Sequence, residues 1–519
     1  MDLLGFLSIG FATALSWSNI LVCFAGVFLG TVIGVLPGLG PTATVSLLLP
    51  LTFTMNPASA VILMAGIYYG SQYGGSLTSI LVRIPGESAS VVTCIDGYEM
   101  AKRGRAGAAL GIAAFGSFIA GIVVTIALFF VGPVLARFAL RFGPPEYAAL
   151  VLLGLLLVTQ VSQTSCLNSL IMACLGLLLS TVGVDRIHGD QRFTFGLIGL
   201  FNGFNVAVLC MGLFAIAELL TSAEGRENTP KPVAQPRRLR EMLPNREEWR
   251  RSTLPITRGT ALGFLLGILP GGGATIASFA AYVMERRISK HPERFGQGAI
   301  EGVAGPESAN NAAAQASFIP LLSLGIPANA VLAVVLASLL VQGVLPGPTL
   351  MTKSPDLFFG VIISMLVGNV ILVVLNVPLI SVFVLLLRVP ISILSPLIIV
   401  FCVIGAYSLD NSSADVLMMV GLGLAGYLMR KVDLDPAPLV LAFVLGQIFE
   451  TALQQSLLVG RGSLGVFLDR PIAAFLIGCS VCLIVFQAGG AILARARAAA
   501  GRGSRNESQP MRRFSRPPP

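Results

Sequence analysis

The chain has 519 residues, of which 55% are hydrophobic and 11% charged, and its mean hydropathy is +0.84. Soluble globular chains carry about 25% charged residues, so a soluble fold is excluded, and the apolar runs are too long for the roughly ten-residue strands of an outer-membrane barrel. The net charge of +9 is concentrated in residues 221–258 (+4) and 495–519 (+6), which points to cytoplasmic retention and lipid headgroups and away from nucleic acid.

The first Lys or Arg is Arg83. The opening apolar stretch therefore lacks the basic start of a secretory signal and is expected to stay in the mature protein. From about Ser18 to Pro50 runs a glycine ladder, Gly26, Gly30, Gly34 and Gly38, ending in Gly34-Val-Leu-Pro-Gly-Leu-Gly-Pro-Thr42. Glycine every fourth residue lines one helix face and lets a second helix approach closely. The proline and clustered glycines then stop the helix. A second apolar stretch, Pro57 to Val82, is followed by a polar, basic segment, Arg83 to Arg105. Spans are predicted at about 106–135, 145–161, 166–184 and 195–220. Residues 221–258, rich in Pro and Arg, read as a cytoplasmic linker.

The second half restarts the pattern. Gly259, Gly263, Gly267 and Gly271 lead into Gly267-Ile-Leu-Pro-Gly-Gly-Gly-Ala-Thr275, a constant 233 residues after the first ladder, with nine of seventeen positions identical. An apolar stretch after Gly302 and spans at about 359–387, 391–409, 416–429 and 436–459 follow. A last span, about 471–494, has no counterpart, and the basic tail 495–519 is expected to be disordered. The organisation predicted is a first membrane repeat (1–220), the linker (221–258), a second repeat (259–460), an extra helix (461–494) and a cytoplasmic tail.

The basic residues suggest how the repeats are oriented. Arg83, Lys102, Arg103 and Arg105 follow the second apolar stretch of the first half, whereas Arg286, Arg287, Lys290 and Arg294 precede that of the second. With basic loops inside, the halves face opposite ways and the N-terminus faces the periplasm. The fold class predicted is an all-α polytopic membrane protein built from two inverted-topology repeats, with broken helices or re-entrant hairpins and about 11–12 transmembrane segments.

Matched interrupted segments place a transporter's site at the breaks. The candidate site residues there are Pro37, Gly38, Gly40 and Thr42 in the first copy and Gly271, Gly273 and Thr275 in the second. Each break is followed by a polar motif of small residues. The first contributes Ser71, Gly74, Gly75, Ser76, Thr78, Pro85, Gly86, Glu87 and Ser88. The second contributes Glu307, Ser308, Asn310, Asn311, Pro327 and Asn329. Ile84-Pro85 corresponds to Ile326-Pro327, and Ser71–Gly75 aligns loosely with Ser308–Ala312. Polar groups at membrane depth are costly unless they face a cavity or ligand. Helix N-termini suit carboxylates, and Ser308, Asn310 and Asn311 offer oxygens to Na⁺. Arg83 is the one basic residue inside a motif and reads as an i,i+4 partner of Glu87.

Competing chemistries find little support. Seven of the eight cysteines lie in apolar runs and read as small buried hydrophobes; Cys479-Ser-Val-Cys482 has metal spacing but no second ligand pair. No Lys follows Gly, so there is no phosphate-binding loop, and no histidine is placed to activate Gly86-Glu-Ser-Ala-Ser90 as a nucleophile elbow. A membrane-embedded enzyme is therefore not expected, and interrupted, inverted halves suit alternating access better than a channel.

These motifs carry a resemblance. Gly34-Val-Leu-Pro-Gly-Leu-Gly, Tyr69-Gly70 through Ser79-Ile-Leu81, Pro85-Gly-Glu-Ser-Ala-Ser90, Asp96-Gly-Tyr98 through Gly104-Arg-Ala-Gly107, Glu307-Ser-Ala-Asn-Asn-Ala-Ala313 and Leu324-Gly-Ile-Pro327 occur in order. Together they resemble the large permease subunit of the tripartite tricarboxylate transporters, the TctA type, up to about residue 495. The resemblance implies a multi-pass protein of the cytoplasmic (inner) membrane of a Gram-negative bacterium. It implies secondary active import of citrate or another carboxylate driven by Na⁺ or H⁺, with no other cofactor. The implied partners are a periplasmic solute-binding protein and a small membrane subunit (TctB type). Two residues depart from the pattern: Arg83 stands where relatives more often have Asn, and Ala328-Asn329 replaces a second Pro-Gly-small turn.

Overall fold

A computed structural model describes residues 3–36, 40–161, 165–185, 189–224, 239–269, 273–386 and 391–485. Pro37, Gly38 and Gly271 lie outside the described residues, as does the tail. The first half contains α1 (Leu3–Ala14), α2 (Trp17–Gly34), α3 (Pro41–Leu48), α4 (Pro57–Val82), α5 (Thr93–Met100), α6 (Ala106–Ala139), α7 (Pro144–Val161), α8 (Cys166–Ser180), α9 (Val206–Cys210) and α10 (Ala217–Glu224). A two-stranded antiparallel hairpin pairs Gly183 with Arg192 and Val184 with Gln191. The second half contains α11 (Arg246–Ile268), α12 (Gly273–Ile288), α13 (Glu301–Ala316), α14 (Phe318–Leu324), α15 (Ala330–Val341), α16 (Leu350–Lys353), α17 (Pro355–Leu386), α18 (Ile391–Asp410), α19 (Ser413–Lys431) and α20 (Pro436–Val459). Six helical stretches among the described residues are long and apolar enough to cross a membrane: Trp17–Gly34, Thr93–Ala139, Val206–Glu224, Pro355–Asn376, Ser413–Lys431 and Pro436–Val459. Shorter apolar helices, including α3, α8, α15 and Pro471–Val485, accompany them. The chain is an all-α polytopic membrane protein.

The glycine ladders act through backbone contact. A Cβ built on Gly30 would lie 2.7 Å from Ile67 Cα, and one on Gly34 would lie 2.7 Å from Ser71 Cα. In the second half the same atom on Gly263 and on Gly267 would lie 2.8 and 2.7 Å from the Cα atoms of Ala309 and Ala313. Helix α2 therefore lies against α4 as α11 lies against α13, with no room for any side chain larger than hydrogen. Ile67 and Ala309, like Ser71 and Ala313, are 242 residues apart, and so are Ile84-Pro85 and Ile326-Pro327. Extending this register pairs Glu87 with Asn329. It also corrects the loose alignment of Ser71–Gly75 with Ser308–Ala312, which is out of step by five residues because glycine and alanine content, not hydroxyl position, fixes the contact.

Local sequence explains most boundaries. Asn56 caps α4 by accepting from the N–H groups of Ala58 (2.9 Å) and Ser59 (3.2 Å), with Pro57 at the first helical position. Asn245 and Glu248 form a capping box that starts α11 at Arg246, so the predicted linker is helical over its last thirteen residues, 246–258. The span predicted from residue 195 begins only at Val206. Before it come the hairpin and a glycine-rich turn in which Phe193, Phe195, Gly196 and Gly203 take positive φ. The N-terminal helix α1 was not predicted as an element; it docks on α17 through Phe6, whose ring centroid is 4.5 Å from that of Phe359. Cys23, Cys210 and Cys402 are buried as predicted, but Cys166, Cys174 and Cys482 lie on exposed faces, where an apolar exterior accepts them equally well.

Buried carboxylates tie the halves together, and Asp96 makes the most bonds. Asp96 on α5 accepts from the N–H groups of Gly296 (2.9 Å), Gly298 and Ala299 (both 2.8 Å) through Oδ1, and from the Tyr282 hydroxyl (2.9 Å) through Oδ2. The basic residues around α11 find acids in the same way. Arg251 forks onto Glu301 (2.7 and 2.8 Å), Arg258 onto Glu285 (2.8 and 2.6 Å), and Arg105 pairs with Glu248.

Candidate functional site

The helix starts that follow the two predicted breaks line one cavity of about 200 Å³. From the first half come Pro41 and Thr42 at the start of α3, Tyr68 and Gln72 on α4, and the Glu87-Ser88-Ala89 turn. From the second come Gly273, Ala274 and Thr275 at the start of α12 and Asn329, Ala330 and Val331 at the start of α15. Asp435, Ala437 and Pro438 add the start of α20. Four helices thus begin at this cavity. The starts of α3, α12 and α15 leave first-turn N–H groups without intrahelical partners and suit a small anion; the start of α20 does not, because Pro436 and Pro438 have no N–H and Asp435 takes that of Ala437.

The sequence explains why the helices begin here. Gly40 is extended (φ −69°, ψ 169°) and Pro41 opens α3, a residue that costs nothing at a position with no hydrogen bond to give. Gly273 takes φ +49°, a backbone state that disfavours side chains. Asn329 caps α15 by accepting from Leu332 N–H (3.1 Å) while its amide donates to the Tyr68 hydroxyl (3.2 Å). Asp435 caps α20 through Ala437 N–H (2.9 Å). The two halves touch directly across the cavity, where the Ser88 and Thr275 hydroxyls lie 2.8 Å apart.

Glu87 is the charged group of the first motif at this wall. Asn310 Nδ2 donates to its Oε1 (3.1 Å). With its amide nitrogen turned toward the carboxylate, Gln72 donates to Oε2 (2.7 Å). Arg83 is not its partner. Arg83 ends α4 in the left-handed conformation (φ +60°), and residues 84–87 are not helical, so no i,i+4 geometry exists. Its guanidinium lies 5.6 Å from the centroid of the Tyr98 ring instead.

Of the described candidates, Thr42, Glu87, Ser88, Gly273, Thr275 and Asn329 meet at the cavity, and Asn310 reaches it through Glu87. Gly40 immediately precedes its wall. The rest of the polar motifs face other helices. Glu307 accepts from the Ser76 hydroxyl (2.6 Å) and from that of Thr93. Asn311 donates to Ser117 Oγ (2.7 Å), and the Ser308 hydroxyl is buried against α6 near Gly116. Asn310 and Asn311 therefore serve different partners on different faces of α13. Ser71 bonds the Tyr68 carbonyl (2.8 Å), and Thr78 bonds that of Gly75 (2.9 Å). Gly74 and Gly86 are points of close backbone approach to Thr31 and Gly75. Pro85 and Pro327 set the turns before Glu87 and Asn329 without lining the cavity. Tyr68, Gln72 and Asp435 were missed. Gln72 sits within the Tyr69–Leu81 motif and Tyr68 immediately precedes it, and the Asp435-Pro436 pair carries a helix-start signal. Among the described residues no group of three His, Cys, Asp or Glu side chains is arranged to hold a metal ion.

Comparison with known proteins agrees with this architecture. A family model described as the tripartite tricarboxylate transporter TctA family matches residues 20–441. A protein of Agrobacterium vitis described as an uncharacterized 52.8 kDa protein in the TAR-I ttuC' 3' region is 50% identical over 485 residues, covering 93% of this chain and 96% of its own. A second protein of that organism, from the TAR-II ttuC' 3' region, is 51% identical over 224 residues, 43% of this chain and 93% of its own. No solved structure matches. A multi-pass helical chain matched by this model over most of its length belongs to the tripartite tricarboxylate transporter TctA family, and it is a tricarboxylate transporter permease.

Proposed function

We propose that this permease imports a di- or tricarboxylate of the citrate class together with Na⁺ or H⁺, by alternating access between two inverted repeats. The carboxylate sits in the cavity formed by the starts of α3, α12, α15 and α20. Backbone N–H groups and the hydroxyls of Thr42, Thr275 and Ser88 bind it. A periplasmic solute-binding protein delivers it, and a small TctB-type subunit completes the complex in the inner membrane of a Gram-negative cell, with the 221–245 connection and the tail in the cytoplasm.

The observation that supports this most is the convergence of the helix starts after both ladders, with Thr42 and Thr275 233 residues apart, on one cavity with hydroxyls from both halves in contact across it. A volume of about 200 Å³ lies below the ~300–1,000 Å³ typical of sites for larger apolar ligands, which favours a compact polar substrate. The starts of α3, α12 and α15, without a lysine or arginine in the lining, suit an anion that must be released on each cycle. Counterflow in proteoliposomes carrying the permease, the small subunit and the binding protein tests the reading. Labelled citrate, malate or succinate should enter transiently against unlabelled substrate inside. Entry of all three without acceleration by internal substrate would indicate a channel and refute the carrier.

A further inference from the structure

The carrier reading leaves an electrostatic conflict in the cavity wall. Glu87 lines the same space as the proposed carboxylate, and no Lys or Arg lines it among the described residues. The break residues Pro37-Gly38-Leu39 and Pro270-Gly271-Gly272 carry no charge either. Two carboxylates sharing one cavity with no cation beside them disfavour each other's ionised form.

The other ionisable groups around Glu87 do not relieve this. On α4 the nearest is Tyr68, whose hydroxyl accepts from Asn329. On α13 it is Glu307, a further carboxylate, held by hydroxyls of α4 and α5. On α20 it is Asp435, also a carboxylate, at the cap. Helix α12 presents Thr275 and α15 presents Asn329, both uncharged. Arg83, four residues away in sequence, lies against Tyr98.

We propose that Glu87 takes up the coupling proton, and that proton and carboxylate occupy the cavity together. This rests on the carrier reading. The hydrogen-bond partners of Glu87 can serve both of its states. A Gln72 amide with nitrogen toward Glu87 donates to the ionised carboxylate at 2.7 Å; turned over, its oxygen accepts from the carboxylic acid. Asn310 donates to Oε1 in either state. Protonation from water outside turns the carboxylate into an acid whose O–H is available to Gln72 or to a substrate oxygen. Loss of that proton to water inside restores the like charge and promotes release of the substrate. In the 242-residue register of the helices packed on the ladders the counterpart of Glu87 is Asn329, which caps its helix from a similar extended backbone (φ −155°, ψ 174° against −149°, 166°) and carries an amide that cannot titrate. One half therefore carries the proton and the other does not.

The test uses full-chain proteoliposomes with both partner subunits and whichever of citrate, malate or succinate exchanges in counterflow. An inward pH gradient at equal Na⁺ should drive accumulation by the wild type. Glu87→Gln should reach no accumulation above equilibrium at whatever rate it exchanges, whereas Glu87→Asp should retain a pH-driven component. Apparent affinity for the carboxylate should improve as pH falls, by up to about tenfold per pH unit for one linked proton. Glu87→Gln measured in parallel removes the contribution of the substrate's own titration, so a slope equal in the two proteins overturns the proposal. So does wild-type accumulation that follows a Na⁺ gradient at equal pH and ignores a pH gradient, a result that needs no variant. Absence of counterflow with all three acids would instead refute the carrier reading.

Discussion

Replacing Gly30 by Ala measures directly what holds α2 against α4. The added methyl would sit 2.7 Å from Ile67 Cα and 2.9 Å from its carbonyl carbon. Backbone atoms cannot rotate out of the way, so the helices must separate by roughly 1 Å, the shortfall against an ordinary carbon–carbon contact. Overpacking of this kind costs about 2–3 kcal/mol, while replacing glycine within a helix returns about 0.5–1 kcal/mol. The net loss is about 1–2 kcal/mol. Gly263→Ala, which meets Ala309 Cα at 2.8 Å and Ala312 Cβ at 2.8 Å, should lose a similar amount if the two ladders do the same job. Gly421 on α19 is the control: a Cβ there meets nothing within 4 Å, so Gly421→Ala should gain stability. Thermal unfolding of the three purified variants in one detergent, followed by thiol-reactive fluorescence and by size exclusion after heating, gives the comparison. Unchanged or raised midpoints for Gly30→Ala and Gly263→Ala would refute backbone contact as the reason for the ladders.

Three further outcomes follow from the geometry. Asp96→Ala strands three backbone N–H groups and the Tyr282 hydroxyl and should cost at least about 3 kcal/mol; Asp96→Asn, which keeps an acceptor, should lose less, read as thermal midpoint and monodisperse yield. Thr275→Val removes a cavity hydroxyl and its contact with Ser88. It should weaken carboxylate binding about tenfold, the worth of one hydrogen bond to a charged group, with little change in thermal midpoint, as measured by titration calorimetry. For orientation, Ser18→Cys should react with an impermeant maleimide from the periplasmic side and Ser504→Cys only after permeabilisation; labelling of both from one side would contradict the inverted arrangement.

What the sequence made legible was the part governed by short-range rules. The ladder spacing, the proline-glycine stops and the 233-residue offset all concern neighbours on one helix, and they anticipate α2, α4 and α11 with a break after each ladder. Residues whose role depends on a distant partner were harder to read. Glu307 and Asn311 looked like site residues because polar side chains are rare at that depth, yet they bond Ser76, Thr93 and Ser117 on neighbouring helices. Arg83 and Glu87 have the spacing of a helical ion pair, but the left-handed turn at Arg83 separates them. Asn and Gly tolerate that conformation better than Arg. The 242-residue register was hidden because the loop between ladder and partner helix is nine residues longer in the second half, and only the contacts show which positions match.

The same register bears on how a carrier could bind and still let go. A guanidinium in the wall would hold a carboxylate through two strong bonds, and leaving it unpaired after release would cost several kcal/mol in a low-dielectric site. Helix starts behave differently. Each adds about 0.3–1 kcal/mol for a nearby anion, more when partly buried, and water can satisfy the same N–H groups once the anion has left. Three such ends, those of α3, α12 and α15, with hydroxyls at 42, 88 and 275, can therefore reach useful affinity by addition while no single contact is expensive to break. Placing α3 in one half and α12 and α15 in the other has a further consequence: a movement of one repeat against the other parts the donors of α3 and Ser88 from those of α12 and α15 at once. On this reading the cavity is strong when both breaks face it and weak when they part, which is the property alternating access requires of its site.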